Sequence, residues 1–432
     1  MFVVIVNYYL KYMFLRILPL FVLFLGLARP LAGLAQFNFI TNADNTITIT
    51  GYTGSGGNVA IPSVTNGFPV AIIGTGAFYY QTNLTVVMIP ASVTSIANYA
   101  FYGCSSLTLL TIPDSVTNIG ASPFWGCSNL TSMTIPGSVT SLGDQPFAYC
   151  SGLTNISVDG LNPNYAGVGG VLFNKSLTTL IVCPAGLAGR YTVPGSVISI
   201  AAWAFWDCTG LTNVTITDGV TSIGDYAFGL CYSLTNVTIG NNVTTIGNNV
   251  FSQCSSLSNV KLGNSVTSLG VSAFNFCSVL TNVTIGNNVT NIGSFAFSSC
   301  KRLHQAYFSG NAPEVNGRLG STDISLFSGE SGTVYYLPGT AGWGTSFGGW
   351  PTALWYQSQP QILGPGYGLG VQNNGFNFTT SWATNTVVVV EASTNLQDWM
   401  PVSTNALANG TNFYTDSTWT NYPQRFYRVR SQ

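Results

Sequence analysis

"LTNVTIGNNVTTIGNNVFSQCSS", residues 234–256, is one copy of a phrase that the chain repeats with small changes. When the copies are aligned, a Phe recurs every 23 residues, and a Cys follows three positions later in all copies but the first. A fixed period of about 20–50 residues is typical of a solenoid, in which each repeat is one structural coil. The aligned Phe residues are Phe78, Phe101, Phe124, Phe147, Phe205, Phe228, Phe251, Phe274 and Phe297.

Each copy carries seven apolar positions, which is more than one short coil can bury alone. Stacked copies can bury them in one continuous core. The aligned Cys residues are predicted to fill that core as reduced thiols. Zinc ligands are usually paired two to four residues apart, which these residues are not. Neighbouring Cys side chains should point the same way, which disfavours disulfide bonds. In the copy at 130–151 the apolar positions are Leu130, Met133, Ile135, Val139, Leu142, Phe147 and Cys150.

The copy "LTLLTIPDSVTNIGASPFWGCSN", residues 107–129, and its neighbours resemble the BspA-like, or Treponema-type, leucine-rich repeat family. The resemblance covers about residues 59–303. It implies a curved solenoid on exported or surface-displayed proteins, with adhesion or ligand-binding roles and no single shared ligand. The fold class expected is therefore mainly β: a leucine-rich-repeat solenoid of 23-residue coils plus a small C-terminal all-β domain.

The period is interrupted once, between Phe147 and Phe205, where the spacing of 58 residues exceeds one period by 35. Within the extra residues, "GVLFN" and "TLIVC" are joined by "KSLT". Two apolar runs separated by a short polar turn favour a β-hairpin. We expect a hairpin insertion at about residues 160–190 of a solenoid spanning 75–305.

The ends of the solenoid need covering, because exposed strand edges and apolar faces promote aggregation. An N-terminal cap is expected at 36–74 and a C-terminal cap at 306–358, followed by a Pro/Gly linker at 359–366 and a small β domain at 367–432. In that domain "VVEASTNLQDWMPV" and "YPQRFYRVR" resemble C-terminal modules of exported Verrucomicrobia-type proteins. This resemblance implies attachment of the protein to a surface through the domain.

Residues 1–35 are interpreted as an export signal: basic residues precede the apolar run "ILPLFVLFLGLA", and small residues come before Gln36. The run is shorter than a bilayer crossing needs, so no transmembrane span is expected after cleavage. Met13 is an alternative start. Removing residues 1–35 leaves 9 basic and 13 acidic residues, a formal charge of −4. The expected location is the cell surface or the medium.

Composition excludes several classes of function. Charged residues make up 6% of the chain, and 12 scattered Lys and Arg residues cannot provide the basic patch that a nucleic-acid partner requires. The chain has one His, His304, so histidine catalysis and histidine metal sites are not expected, and no cofactor is predicted. A glycan-active enzyme would need two carboxylates flanking one bond, and the repeat does not place acids that way.

The candidate binding residues lie outside the expected core. Aromatic residues follow or precede the core Phe at fixed offsets, and such side chains suit contacts with sugars or proteins. The outward positions of the longer strand form a second candidate surface, with three readings left open: a solvated sheet, a ligand-facing sheet, or a threonine array that matches ice. The candidates are Tyr79, Tyr102, Trp125, Trp203, Trp206, Thr215, Thr238, Lys261 and Thr284.

These observations favour a secreted or surface-bound, non-enzymatic protein that binds a protein or glycan ligand, with the stripe Tyr79–Tyr102–Trp125 as the first candidate. The alternative is a structural envelope or matrix protein without a specific ligand. A glycan-active enzyme is the third possibility.

Overall fold

The computed structural model of the protein describes residues 36–319, 323–355, 360–363, 368–372, 375–382, 386–407 and 410–432. The predicted export signal, 1–35, and part of the predicted linker lie outside these ranges. Within them, no helix has both the length and the apolar character needed to cross a bilayer. The described residues form strands, turns and a short 3₁₀ helix, Trp419–Asn421.

One side of each coil is the longer strand of the repeat. In Asn236–Thr238 the central Val237 is buried while its neighbours are exposed, as alternation along a strand requires. Asn213 lies opposite Asn236 in parallel register, one period apart. The strands of this side are Gly57–Ala60, Leu84–Met88, Leu109–Thr111, Ser132–Ile135, Asn155–Val158, Gly189–Thr192, Leu211–Thr215, Asn236–Thr238, Asn259–Lys261, Asn282–Ile285, Gln305–Phe308, Thr333–Tyr336 and Trp350–Leu354.

The second side consists mostly of two-residue strands in which an apolar residue points inward and a Ser, Thr or Asn points outward. Ser222 and Ile223 lie opposite Thr245 and Ile246, again in parallel. Longer strands begin this side at the N-terminus. Its strands are Ile47–Tyr52, Phe68–Ile73, Ser95–Ile96, Asn118–Ile119, Ser141–Leu142, Ser199–Ile200, Ser222–Ile223, Thr245–Ile246, Ser268–Leu269, Asn291–Ile292 and Glu314–Val315.

The third side is a chain of turns that carries the core Phe. Residues two before and two after this Phe have positive φ, for example Tyr99 at 58° and Gly103 at 72°. This alternation directs every second N–H toward the next coil: Tyr99 N, Phe101 N and Gly103 N donate to carbonyls 22 residues later at 3.0, 2.8 and 2.7 Å. The turn side is therefore held together by its own ladder of hydrogen bonds between successive coils, although its described residues form no strand.

The core is a pile of Phe rings. Phe205 and Phe228 stack with centroids 4.5 Å apart, and Phe228 and Phe251 with centroids 5.2 Å apart. Each Cys thiol of the column donates to a carbonyl one coil back, as Cys254 Sγ does to Phe228 O at 3.1 Å. All nine cysteines are free and buried. The column of buried, unbridged thiols predicted from the spacing is thus what the structure shows.

Aromatic rings also close both ends of the pile. Tyr52 stacks on Phe78 at 5.3 Å at one end, and at the other end Phe327 stacks on Phe297 at 5.8 Å and Trp350 on Phe327 at 4.0 Å. Parallel pairing continues into both segments expected to be caps. The antiparallel strands that finish the ends are Phe37–Thr41, Val64–Thr65, Arg318–Leu319 and Ser346–Phe347.

The insertion is a hairpin followed by a return to the solenoid. Its strands Tyr165–Val168 and Val171–Asn174 pair in antiparallel fashion, and Val171–Asn174 pairs with Thr179–Val182, which continues the second side. The hairpin separates the apolar core into two clusters: Leu172 belongs to the N-terminal cluster, and Phe173 to the C-terminal one. No close Phe pair bridges the two halves of the pile, because Phe147 and Phe205 lie on opposite sides of the insertion.

The C-terminal domain is all β, as expected, with two antiparallel sheets. Arg428 and Arg430, two residues apart on the last strand, both bind Glu391 on the neighbouring strand, at 2.7 and 2.8 Å. The strands of one sheet are Gln361–Ile362, Gly370–Gln372, Gly375–Ser381 and Thr411–Asp416, and those of the other are Thr386–Ser393, Met400–Leu407 and Phe426–Ser431.

We predict that the thiols are unreactive until the solenoid unfolds. Burial raises the pKa of Cys208, Cys254 and Cys277 well above the usual range of a thiol, and the thiolate is the reactive form. Ellman's reagent should therefore label none of the nine cysteines in native buffer and all of them in denaturant. A Thr245→Cys variant, with its thiol on the exposed face, serves as the positive control; rapid native labelling of the parent protein would contradict the packing.

Removing one Phe ring from the core should destabilise the solenoid strongly. Phe228→Ala removes a fully buried ring that stacks on both neighbours, and such truncations cost about 3–5 kcal/mol. Phe276→Ala, at a side chain 51% exposed, should cost less than about 1 kcal/mol. Urea unfolding followed by circular dichroism measures both, and similar midpoints for the two variants would show that the Phe pile does not carry the stability assigned to it.

Candidate binding edge

The turn side presents an aromatic edge to solvent. Tyr79, Tyr102 and Trp125, which follow the core Phe in three successive coils, form a continuous stack with centroid distances of 5.0 and 4.2 Å. The structure therefore brings together the stripe expected from the sequence. Because the rings lie nearly parallel, at 17° and 1°, the facing sides of neighbouring rings cover each other. The stripe offers ring edges and phenol hydroxyls, rather than ring faces.

Trp203 and Trp206 continue this edge beyond the hairpin. Trp203 stacks on Tyr226 at 4.1 Å, and Trp206 packs edge-on against Trp203 at 4.6 Å. Trp206 also lies across Gly229 of the next coil, where a Cβ would approach its ring to 2.3 Å. Gly229 is therefore the small residue that sets the position of the Trp206 indole.

The strand-face candidates lie on strands that are paired two by two. Thr215 lies opposite Thr238, and Lys261 opposite Thr284, but the strands of Thr238 and Lys261 belong to different sheets. Thr residues just before these strands bond to the preceding coil, as Thr235 Oγ1 does to Thr212 O at 2.9 Å. These hydroxyls serve the coil-to-coil ladder, and the flat, continuous polar sheet expected from the repeat is interrupted.

The aromatic stack changes direction where the hairpin enters. In the coil that follows the coil of Trp125, the same position holds Ala148. Tyr149 partly fills the gap, tilted by 50° to Trp125 and by 75° to Trp206.

Asp207, which follows Trp206 in the sequence, is a buried acid on the turn side. The residue is 8% exposed, and no hydrogen bond or ion pair to its carboxylate is found among the described residues. Burial raises the pKa of Asp207 to about 6. Asp207 in turn raises the pKa of Tyr232, after the larger effect of burial. Ionisation of an acid that is buried without a partner lowers the stability of the folded protein.

Sequence reasoning missed Asp207, Tyr149 and Tyr232. A signal was available: the position two after the core Phe holds no acidic residue in the other coils. All of them share the left-handed backbone, which Asp207 adopts with φ 60°. The acid is therefore not required by the backbone. The other residues at this position are Tyr80, Gly103, Gly126, Tyr149, Leu230, Gln253, Phe276 and Ser299.

The remaining acids of the solenoid have local roles or lie open to solvent. Asp218 and Asp225 accept hydrogen bonds at 2.7 Å from backbone N–H groups one coil later. Asp114 and Asp159, both exposed, line a cleft of about 320 Å³ where two strands of the longer-strand side separate. His304 is exposed, and its Nδ1 lies 2.8 Å from Arg302 O.

The ionisation of Asp207 should make stability depend on pH. Its folded-state pKa lies above the unfolded value of 3.8, so the folded protein holds a proton that the unfolded chain has released. Stability is then highest below about pH 4 and falls by on the order of 2 kcal/mol as pH rises through 6. Asp207→Asn should remove this component, and Asp218→Asn, at an exposed acid, should not. Urea unfolding between pH 4 and 7.5 measures it; identical pH profiles for the parent and Asp207→Asn would refute it.

Comparisons with known proteins agree with this architecture. The sequence matches the BspA type leucine rich repeat region, in six copies, over residues 71–187 and 189–310. The crystal structure of the pneumococcal vaccine antigen PcpA aligns with a TM-score of 0.54 and 22% identity, covering 70% of this chain and 92% of that one. A leucine rich cell surface protein of Faecalibacterium prausnitzii is 29% identical, with coverage of 66% and 96% and a TM-score of 0.39. No curated protein matches the sequence.

The family match spans more than half of the 432 residues and coincides with the stacked coils. The likeness to PcpA independently supports the solenoid fold. The chain therefore belongs to the BspA-type leucine-rich repeat family.

Proposed function

We propose that this protein is exported and acts without catalysis, by binding a protein on another surface through its aromatic edge. The observation that carries the proposal is the exposed aromatic cluster on a chain of low charge. Tyr79, Tyr80 and Tyr99 are 51%, 55% and 43% exposed, and Tyr79 and Tyr99 both contact Tyr102. Grouped, exposed aromatic side chains are characteristic of interaction sites.

The geometry of the stripe favours a protein over a glycan. A sugar ring binds by lying on an open aromatic face, and the stacked rings of Tyr79, Tyr102 and Trp125 cover one another. Ring edges and phenol hydroxyls suit the backbone and side-chain acceptors of a protein surface, where Tyr and Trp combine apolar contact with a hydrogen bond.

Location at the cell surface is supported by the apolar leader and by family membership. The Faecalibacterium prausnitzii relative is itself described as a cell surface protein. The C-terminal domain packs against the end of the solenoid, since Ser381 Oγ donates to Pro338 O at 3.1 Å. Retention through this domain leaves the aromatic edge, on the far coils, free to meet a partner.

The proposal is tested with beads that carry the full mature chain, applied to epithelial monolayers. Binding should be lost after protease treatment of the monolayer and kept after glycosidase treatment. Tyr79→Ala, Tyr102→Ala and Trp125→Ala together should reduce bead retention at least tenfold without changing the circular dichroism spectrum, because all three side chains lie outside the core.

The matched control uses the same position in three later coils, Ser252→Ala, Asn275→Ala and Ser298→Ala. This variant should bind like the parent protein. Retention that survives the aromatic substitutions, or that is lost equally in the control, would exclude the stripe as the binding surface. Absence of any retention on treated and untreated cells would favour a structural envelope protein.

A further inference from the structure

We infer that a cleft on the longer-strand side binds a short extended peptide segment of a partner protein, in which an apolar side chain lies close to a Lys or Arg. This strand cleft is lined by residues between 109 and 112 of one coil and between 132 and 136 of the next, together with Asp114 and Asp159. Its volume of about 320 Å³ lies in the range typical of ligand pockets. The aromatic stripe is on the turn side of the coils, so this inference does not depend on the proposed function.

The strand cleft lies where the pairing of the longer strands stops. Leu109–Thr111 pairs with Leu84–Met88 and ends one sheet, and Ser132–Ile135 begins the next sheet. The two strands that face each other across the cleft are therefore not paired with each other. An unpaired strand edge presents backbone groups on which another extended chain can dock.

A missing backbone hydrogen bond marks this interruption. Where the coils are paired, the N–H that follows the strand reaches the next coil, as Ile216 N does in donating to Thr238 O at 2.9 Å. The corresponding N–H of Ile112 donates neither to Thr134 O nor to any other acceptor of the described residues. Ile112 lines the cleft, so its N–H is a donor that the carbonyl of a docked segment can satisfy.

The outward face beside the strand cleft is apolar. Leu109 and Met88 are 56% and 55% exposed, and the partly exposed Val86 lies opposite Leu109 in parallel register. In the coils between 211 and 285, the same two strand positions hold Asn followed by Thr or Lys. Grouped, exposed apolar side chains mark interaction sites, and here they coincide with the break in pairing.

The charges of the strand cleft select a basic side chain. Asp114 and Asp159 are exposed and make no ion pair among the described residues; Leu161 N donates to Asp159 Oδ1 at 2.8 Å, which holds that carboxylate in place. Lys175 Nζ donates to Gly160 O at 3.1 Å without pairing with either acid. Two carboxylates and one ammonium group leave the region negative, so a basic segment is attracted and an acidic one is repelled.

The length of the strand cleft suits an extended chain. Residues 109–112 span about 13 Å at the rise of a strand, which is room for about four residues of a ligand. Side chains two residues apart point to the same face of an extended chain. An apolar residue placed on Leu109 and a basic residue two positions away can therefore contact the apolar part and the acids together. Main-chain bonds combined with such alternate side-chain contacts are how strand edges recognise peptides.

The test is fluorescence anisotropy of dye-labelled pentapeptides titrated with the full mature chain, at low ionic strength because salt screens exposed charges. The probe is the amidated peptide Gly-Leu-Thr-Lys-Gly, and its reversed sequence covers the opposite direction of docking. Comparison peptides carry Glu in place of Lys, or Ser in place of Leu. We expect saturable binding of a Lys peptide in one of the two directions, about tenfold or more tighter than either comparison peptide.

Leu109→Lys is the decisive variant, since it replaces an exposed apolar contact with a charge that competes for the acids. It should weaken binding of the Lys peptide about tenfold or more and leave the circular dichroism spectrum unchanged. Asn213→Lys is the matched control, because Asn213 has the same strand position in a coil that is paired on both sides. This control should bind the peptide like the parent protein.

Asp114→Asn combined with Asp159→Asn should weaken binding of the Lys peptide about fivefold, as expected for exposed charge pairs. Asp218→Asn is its control, because Asp218 has the position of Asp114 in the paired coil of Asn213. Hydrogen exchange provides an independent readout: peptide binding should slow exchange of the Ile112 amide.

Three results would overturn the assignment: no saturation by any Lys peptide, equal affinity for the Lys and Glu peptides, or unchanged binding by Leu109→Lys. A parent protein that is dimeric in size-exclusion chromatography and becomes monomeric as Leu109→Lys would also overturn it, by assigning the cleft to a second copy of the chain. The combined Tyr79→Ala, Tyr102→Ala and Trp125→Ala variant should bind the peptide like the parent protein. Loss of cell retention by that variant, with peptide binding intact, would separate the two sites.

Discussion

The structure depends on one contact that repeats between coils: a buried Phe ring lies on the ring of the preceding coil, and a nearby Cys thiol donates to the carbonyl of a Phe one coil back. Phe251 and Phe274 stack at 5.1 Å, and Cys277 Sγ lies 3.2 Å from Phe251 O. The ring provides apolar volume, and the thiol satisfies an acceptor that would otherwise be buried with only one bond. Both residues must recur at a strict spacing, which explains why the period of the sequence is so exact.

The same constraint explains where the protein can carry a function. Residues that face the interior or the coil-to-coil ladders cannot vary freely, since each change affects the coils above and below. Outward positions of the turn side are free of this restriction and vary from Tyr to Trp, Gly, Ser and Asn. The aromatic edge arises where that freedom is used for large rings in the first half of the solenoid.

The hairpin insertion has a second effect beyond adding residues. It ends one Phe pile and begins another, so the columns on either side do not continue in register. Trp125, Tyr149 and Trp206 meet at this discontinuity, where stacked rings give way to tilted ones.

The sequence by itself determined the coil length, the inward residues, the thiol column, the hairpin and the grouping of Tyr79, Tyr102 and Trp125, because translation by one period places equivalent residues in line. Only the tertiary structure decided how those rings are oriented and that Arg428 and Arg430 form ion pairs with Glu391. It also decided that strand pairing on the longer-strand side is interrupted between Thr238 and Lys261, and that Asp207 is buried. Periodicity fixes which residues share a column, whereas ring tilt, strand separation and the meeting of residues across an insertion depend on packing in three dimensions.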